Sequence, residues 1–261
     1  MKCLALSALA LAAHASGEGR TRTVLIVGAS RGLGLGLARV YAEAGMRVLA
    51  TARNASAAQL AALAVEHPLV SIHSLEVRDA TQISSLGKAL NGIALDTVIY
   101  NAGVNSGDRD GQLAINAKAP FAVLEQVLPA IRRGNVGSRR TVCIITSDLG
   151  TPVRVEAMSH VSQDVHNYAL SKMAANERFR AFEPGMRALG ITAIAMQPGK
   201  VKTDMNGRGN VSPLKSATSI KKVLDRLKPR QGGEFLNYKG QTISWQTGRP
   251  CSPGRCSTRA R

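Results

Sequence analysis

A tyrosine and a lysine stand four residues apart, Tyr168 and Lys172 in "HNYALSKMAAN", in a chain whose aromatic content is 3%. On a helix, positions i and i+4 share a face, so the phenol and the ammonium point into the same space. A free tyrosine titrates near pH 10 and is a poor proton carrier at neutrality. A neighbouring cation favours the phenolate, and bringing the phenol close to pH 7 takes roughly 4 kcal/mol of such preference. The chemistry on offer is proton exchange. A lone Tyr-x-x-x-Lys is more often an incidental pair on an exposed helix, so the elements around it must decide.

Those elements alternate. "RTVLIVGAS" is a β-branched apolar run breaking into glycine, a buried strand entering a turn. "GLGLGLARVYAEAG" follows with helical periodicity and ends at Gly45, which suits a C-cap. "MRVLATAR", "VSIHSLEV", "LDTVIYNAG", "RRTVCIITS" and "ITAIAMQPG" read as further strands. "ASAAQLAALAVEH", "ATQISSLGKALNG" and the long "GQLAINAKAPFAVLEQVLPAIRRG" read as helices between them, and the helix with Tyr168 and Lys172 precedes the last strand. The alternation predicts an α/β fold, one domain with a doubly wound parallel sheet and helices on both faces. The expected organisation is an N-terminal extension over 1–19, the domain over 20–245 and a basic, disordered tail over 246–261.

The first strand ends in "VGASRGLG". Gly28, Gly32 and Gly34 let the chain turn sharply and let backbone N–H groups approach a pyrophosphate at a helix N-terminus. Ser30, Arg31 and Leu33 of the same turn join the expected cofactor contacts. An NAD enzyme usually ends its second strand with a carboxylate for the adenosine ribose. Here the strand ends "ATARN", with Ala52 and Arg53 and no acid. Arg31 and Arg53 converging there would suit a 2′-phosphate through charge-assisted bidentate bonds, so NADP(H) is favoured over NAD(H).

The glycine turn, "NAG" after the fourth strand, Asn116, Ser147, "YALSK" and "PGKVKTDM" follow the order of the short-chain dehydrogenase/reductase family. From about Thr23 to about Trp245 the chain resembles that family. Six motifs in register are specific where each alone is weak. The stretch "GGEFLNYKGQTISW" is further similar to the C-factor-like subgroup. The resemblance implies a Rossmann-type domain and an NADP-dependent carbonyl reductase or alcohol dehydrogenase acting on a small-molecule carbonyl or alcohol. It implies Tyr168 as general acid in reduction and base in the reverse direction. Lys172 would lower the phenol and hold the nicotinamide ribose, Ser147 would hydrogen-bond the substrate oxygen, and Asn116 would position a water in a relay with Lys172. Asn101, Ala102 and Gly103 would line the adenosine side, with Glu76 and Val77 near the adenine. Glu76 stands where the family usually has aspartate. Pro198, Gly199, Val201 and Thr203 would hold the nicotinamide carboxamide.

Twenty residues separate Ser147 from Tyr168, more than the family's usual dozen, so "TPVRVEAMSHVSQDVHN" is expected as a flap beside the substrate. His160 and His166 in it are expected to be solvated. The segment "DMNGRGNVSPLKSAT" after Thr203 is short and polar and suggests no clear lid. The family also implies a homodimer or homotetramer. The subgroup's link to intercellular signalling implies an alternative, an exported cofactor-binding signal or sensor with little turnover.

Over the 261 residues the net charge is +17, which raises the question of a nucleic-acid or membrane partner. From Lys200 onward there are fourteen Lys/Arg against three Asp/Glu, so +11 of that charge lies in the last 62 residues. With no nucleic-acid motif and no aromatic platform, a solvated basic tail is expected and no nucleic-acid partner. Cys3, Cys143, Cys251 and Cys256 are too scattered for a disulfide scaffold, and no metal cluster accompanies them. Cys251 and Cys256 are expected as free thiols, with a local disulfide as the alternative in an oxidising compartment. "MKCLALSALALAAHASGEG" has the shape of a secretory signal cleaved after Ala15 and is too short for a membrane span. That pattern leans to export, the alternative being a cytoplasmic protein with an alanine-rich extension.

Overall fold

The computed structural model describes residues 20–134, 139–158 and 160–251. The signal-like stretch, Cys3, Cys256 and the rest of 252–261 lie outside the described residues.

The first half runs β1 (Thr23–Val27), α1 (Gly32–Glu43), β2 (Arg47–Ala52), α2 (Ala58–Glu66), β3 (Val70–Ser74), α3 (Ala80–Ala89) and β4 (Thr97–Tyr100). Then come α4 (Arg109–Leu113), a π-helical turn (Ala114–Lys118), α5 (Ala119–Arg132) and β5 (Arg140–Ile145). A 3₁₀ turn (Asp148–Gly150), α6 (Pro152–Ala157), α7 (Gln163–Ala188), β6 (Ile191–Gln197), α8 (Pro213–Arg226) and β7 (Phe235–Asn237) complete it. The strands form one seven-stranded sheet in the order β3-β2-β1-β4-β5-β6-β7 with every pairing parallel. This is the doubly wound sheet that the alternation predicts. Its order reverses direction between β1 and β4, which opens a crevice at the carboxyl ends of those strands.

Strand alternation builds two cores. Val24 and Ile26 of β1 face one side with Leu37, Tyr41, Leu60, Leu63 and Ile220, all buried. Leu25 and Val27 face the other with Leu86, Phe121, Leu124, Ile131 and Phe179. Successive strand residues point to opposite faces, and helices cover both, so β1 is apolar at every position but its first.

Three features depart from the expected layout. The long helix predicted through Asn116 is broken by the π-helical turn, where the N–H of Ala119 donates five residues back to Ala114. Pro120 lies four residues beyond Asn116 and has no N–H to give to its carbonyl. Second, α8 and β7 lie in sequence to which the periodicity assigns no element. Third, the ordered chain continues past 245 to Cys251. Trp245 stacks on Phe235 at 4.9 Å and on Phe179 at 5.8 Å, anchoring the segment. Beyond it the Gln246 carbonyl accepts from the Val153 N–H, Gly248 is buried against Asp148 and Thr151, and the Cys251 N–H donates to the Thr242 carbonyl. Cys251 is disulfide-bonded, which corrects the expectation of a free thiol there.

Candidate active site

The residues expected to hold a cofactor gather at the carboxyl ends of the strands. After β1, Gly28 has φ +83°, and a Cβ on it would lie 2.8 Å from the Ala102 Cα. A Cβ on Gly34 would lie 2.0 Å from the Gly28 carbonyl oxygen and 2.7 Å from Asn101 Nδ2. The turn therefore closes on the end of β4 only with glycine at these positions. Asn101 Nδ2 donates to the Gly28 carbonyl at 2.8 Å, and the Gly28 N–H donates to Thr51 Oγ1 at 3.1 Å. α1 begins with no side-chain cap and no acid in its first turn, so its leading N–H groups and positive dipole end suit a pyrophosphate. Ser30 is half-buried at the crevice, whereas Leu33 is buried in the core and offers the site only its backbone.

At the adenosine side, Ala52 is buried at the end of β2 and Arg53 is exposed just beyond it. Arg31 pairs with Asp204 at 2.8 Å, both side chains largely exposed. Glu76 accepts from the Arg78 N–H and lies 3.4 Å from Arg78 Nε, while Val77 is buried in the core. After β6, the Pro198 carbonyl accepts from Ser216 Oγ at 2.7 Å, and the Tyr238 ring packs against Gly199. Val201 bridges Val211, and the Thr203 methyl lies against Gly32, so this segment folds over the glycine turn.

Ser147 follows β5, and its Oγ accepts from the Leu149 N–H at 3.2 Å. Gly150 lets this loop touch α7: a Cβ there would sit 2.5 Å from the Lys172 carbonyl carbon. Lys172 is buried, with Nζ donating to the Ile145 carbonyl at 3.3 Å and lying 5.8 Å from the centre of the Tyr168 ring. Asn116, in the π-helical turn, donates to the Val104 carbonyl at 2.7 Å and to Ser171 Oγ at 2.8 Å, and accepts from the Val104 N–H. The structure thus brings Ser147, Tyr168, Lys172 and Asn116 to one end of the crevice.

The electrostatics differ from expectation in one respect. Burial pushes the Tyr168 phenol up, a hydrogen bond with Ser147 pulls it back, and the Asp148 charge raises it again, leaving it at about 12. Desolvation outweighs the lowering that the Tyr–Lys spacing suggests. A phenol held there is fully protonated at neutrality, the state of a proton donor. Burial also pulls the Lys172 ammonium from its ordinary 10.5 down to about 8. Its folded value lies below its unfolded one, so the cost of the buried charge is present in full below about pH 8 and is relieved as pH rises toward 10.5. The wild type is therefore expected to gain stability relative to Lys172→Met across that interval. Melting curves of both proteins at a series of pH values check this, and a constant difference would mean that Lys172 is well solvated.

The long insertion follows the 3₁₀ turn and forms α6 and the first turn of α7. Arg154 of α6 lies 3.9 Å from Asp148. His160 is exposed, as expected, whereas His166 on the first turn of α7 is half-buried with a buried Nδ1 that has no hydrogen-bond partner. Sequence reasoning missed Asn176, Gln197 and Tyr238. Asn176 had a readable signal, since it follows Tyr168 and Lys172 at the same four-residue spacing. Gln197 had none; its side chain accepts from the Gly199 N–H and donates to Asp148. Among the described residues no His/Cys/Asp/Glu group could hold a metal ion, and no helix is long and apolar enough to cross a membrane.

Residues 22–212 match the short chain dehydrogenase family. The chain is similar to C-signal of Myxococcus xanthus, 30% identical over 162 residues that cover 58% of this chain and 93% of that protein. Among solved structures, it is similar to the NADPH-bound carbonyl reductase from chicken fatty liver, with 31% identity, a TM-score of 0.79, and coverage of 89% of this chain and 97% of the other. It is also similar to a carbonyl reductase from Pseudomonas aeruginosa in complex with NADP, with 25% identity, a TM-score of 0.73, and coverage of 86% and 99%.

Proposed function

The chain belongs to the short chain dehydrogenase family, enzymes acting on CH–OH and C=O groups with nicotinamide cofactors, and we propose that it is an NADP-dependent carbonyl reductase with Tyr168 as its proton donor. The observation that carries this reading is the convergence of Ser147, Tyr168 and buried Lys172 at the mouth of the glycine crevice: Lys172 Nζ lies 5.8 Å from the centre of the Tyr168 ring and donates to the Ile145 carbonyl, two residues before Ser147. When bound, the cofactor supplies the hydride. The chain's residues handle the oxygen and the proton. Two hydroxyls at one end of the crevice suit a single carbonyl oxygen, which Ser147 holds while Tyr168 protonates it. The phenolate left behind faces the Lys172 ammonium, and the Ser147 hydroxyl remains to donate to it. The Asn116 carbonyl, to which Pro120 has no N–H to give, is an acceptor for a water that returns the proton through Lys172. A phenol near 12 holds its proton at neutral pH, the form that reduction requires of Tyr168.

The likeness to C-signal supports a second reading, an exported cofactor-binding signal with little turnover. The assembled Ser147, Tyr168 and Lys172 favour the enzyme. The test is the loss of NADPH absorbance when purified protein meets a panel of aldehydes, ketones and quinones. Turnover is expected, and its rate should fall as pH rises through about 8 and Lys172 loses its proton. Tight NADPH binding with no carbonyl reduced across the panel would favour the signalling reading instead.

A further inference from the structure

The Tyr168 and Lys172 row on α7 continues at the same spacing to Asn176, which is 3% exposed. Its side chain makes two hydrogen bonds, both to the loop that carries Ser147. Thr146 Oγ1 donates to Asn176 Oδ1 at 2.6 Å, and Asn176 Nδ2 donates to the Gly150 carbonyl at 2.9 Å. Thr146 immediately precedes Ser147, and Gly150 closes the 3₁₀ turn that Ser147 caps. One amide therefore brackets the serine from both sides and ties its loop to the helix bearing Tyr168 and Lys172. Neither bond is part of the strand or helix ladders, so the sheet and α7 can form without them.

We propose that Asn176 is a positioning residue that sets the distance between Ser147 and Tyr168. It touches neither reacting group. It acts through the loop, and the inference rests on the reading of Ser147 and Tyr168 given above. An apolar side chain at 176 leaves the Gly150 carbonyl and the Thr146 hydroxyl buried without their partner, and the loop is then free to lift from the helix. A displacement of about 1 Å at the serine is enough to cost on the order of a hundredfold in turnover.

The experiment is a double-mutant cycle of Asn176→Ala and Ser147→Ala, with isatin and menadione as carbonyl probes and NADPH as reductant. Asn176→Asp serves as a second variant of unchanged shape. It keeps an acceptor for Thr146 and loses the donor to Gly150. Both position-176 variants are expected to lower kcat about ten- to a hundredfold with the KM for NADPH unchanged. In the Ser147→Ala background the Asn176→Ala change should cost little more, because there is no longer a serine to position. Melting curves with and without NADPH identify any variant that fails to fold, and the Asp variant then carries the test alone. Equal losses from Asn176→Ala in both backgrounds would assign the residue to general stability and overturn the inference. Full activity in Ser147→Ala, or no reduction of either probe by the wild type, would overturn the reading of the site itself.

Discussion

Tyr168→Phe is expected to lower kcat at least about a hundredfold, the usual range for removing a positioned proton donor. The substitution keeps the ring and deletes only the hydroxyl, so packing on α7 is preserved. NADPH affinity should change little, since Lys172 remains and the glycine turn is untouched. The phenol sits near 12, held protonated chiefly by burial. Phenylalanine therefore removes a neutral donor, and the fold loses no charge. Steady-state kinetics with any carbonyl that the wild type reduces will decide. A phenylalanine variant working at near wild-type rate would mean that water or another group delivers the proton.

The second large effect concerns the choice of cofactor. NADPH is expected to bind at least about tenfold tighter than NADH at low salt, because one charge-assisted hydrogen bond contributes about 1.5–3 kcal/mol. The gap should narrow as salt screens the phosphate. Arg53 is exposed beside the end of β2, and Arg31 is held by Asp204 in an exposed pair. Such pairs are worth about 0.2–1 kcal/mol, so a phosphate can draw Arg31 away from Asp204 at small cost. Ala52→Asp should reverse the preference: its carboxylate repels the 2′-phosphate and accepts from the ribose hydroxyls. Ala52 is buried, so that variant also carries a folding cost, and Arg53→Ala provides an arm without it. Arg53→Ala should weaken NADPH alone. Calorimetric titration of all three proteins with both cofactors settles the matter, and equal affinities in the wild type would leave the arginines with no part in recognition.

Much of this was legible in the sequence because the informative signals are local. Glycines at 28, 32 and 34, the β-branched strands and the four-residue spacing on α7 each follow from backbone sterics or helical geometry. The parallel sheet follows from their alternation. What was missed depends on long-range packing. α8 buries only a narrow stripe, including Ala217, Ile220 and Leu224, and the polar residues around it hide the period. Its start was nevertheless written in Ser212, whose Oγ accepts from the Lys215 N–H, and in Pro213 in the first turn. β7 is three residues long, too short for any alternation to register. The break at Asn116 was readable from the proline four residues later. The pairing of Arg31 with Asp204 was not, since 173 positions separate them. The direction of the Tyr168 shift was misjudged because spacing reports neighbours and says nothing about desolvation.

The segment from Ile243 to Cys251 has a bearing on how the protein is made. Gly248 lies against Asp148 and Thr151, and Gln246 receives the N–H of Val153, so this segment braces the loop that begins at Ser147 and the short helix after it. It leaves the ribosome after every other described part of the site. All seven strands precede it in the chain, so the sheet can pair, with the glycine turn formed, while the Ser147 loop still lacks this support. Cofactor capture can thus precede catalytic competence during synthesis, and a chain stalled shortly after Trp245 would be a binder before it is an enzyme.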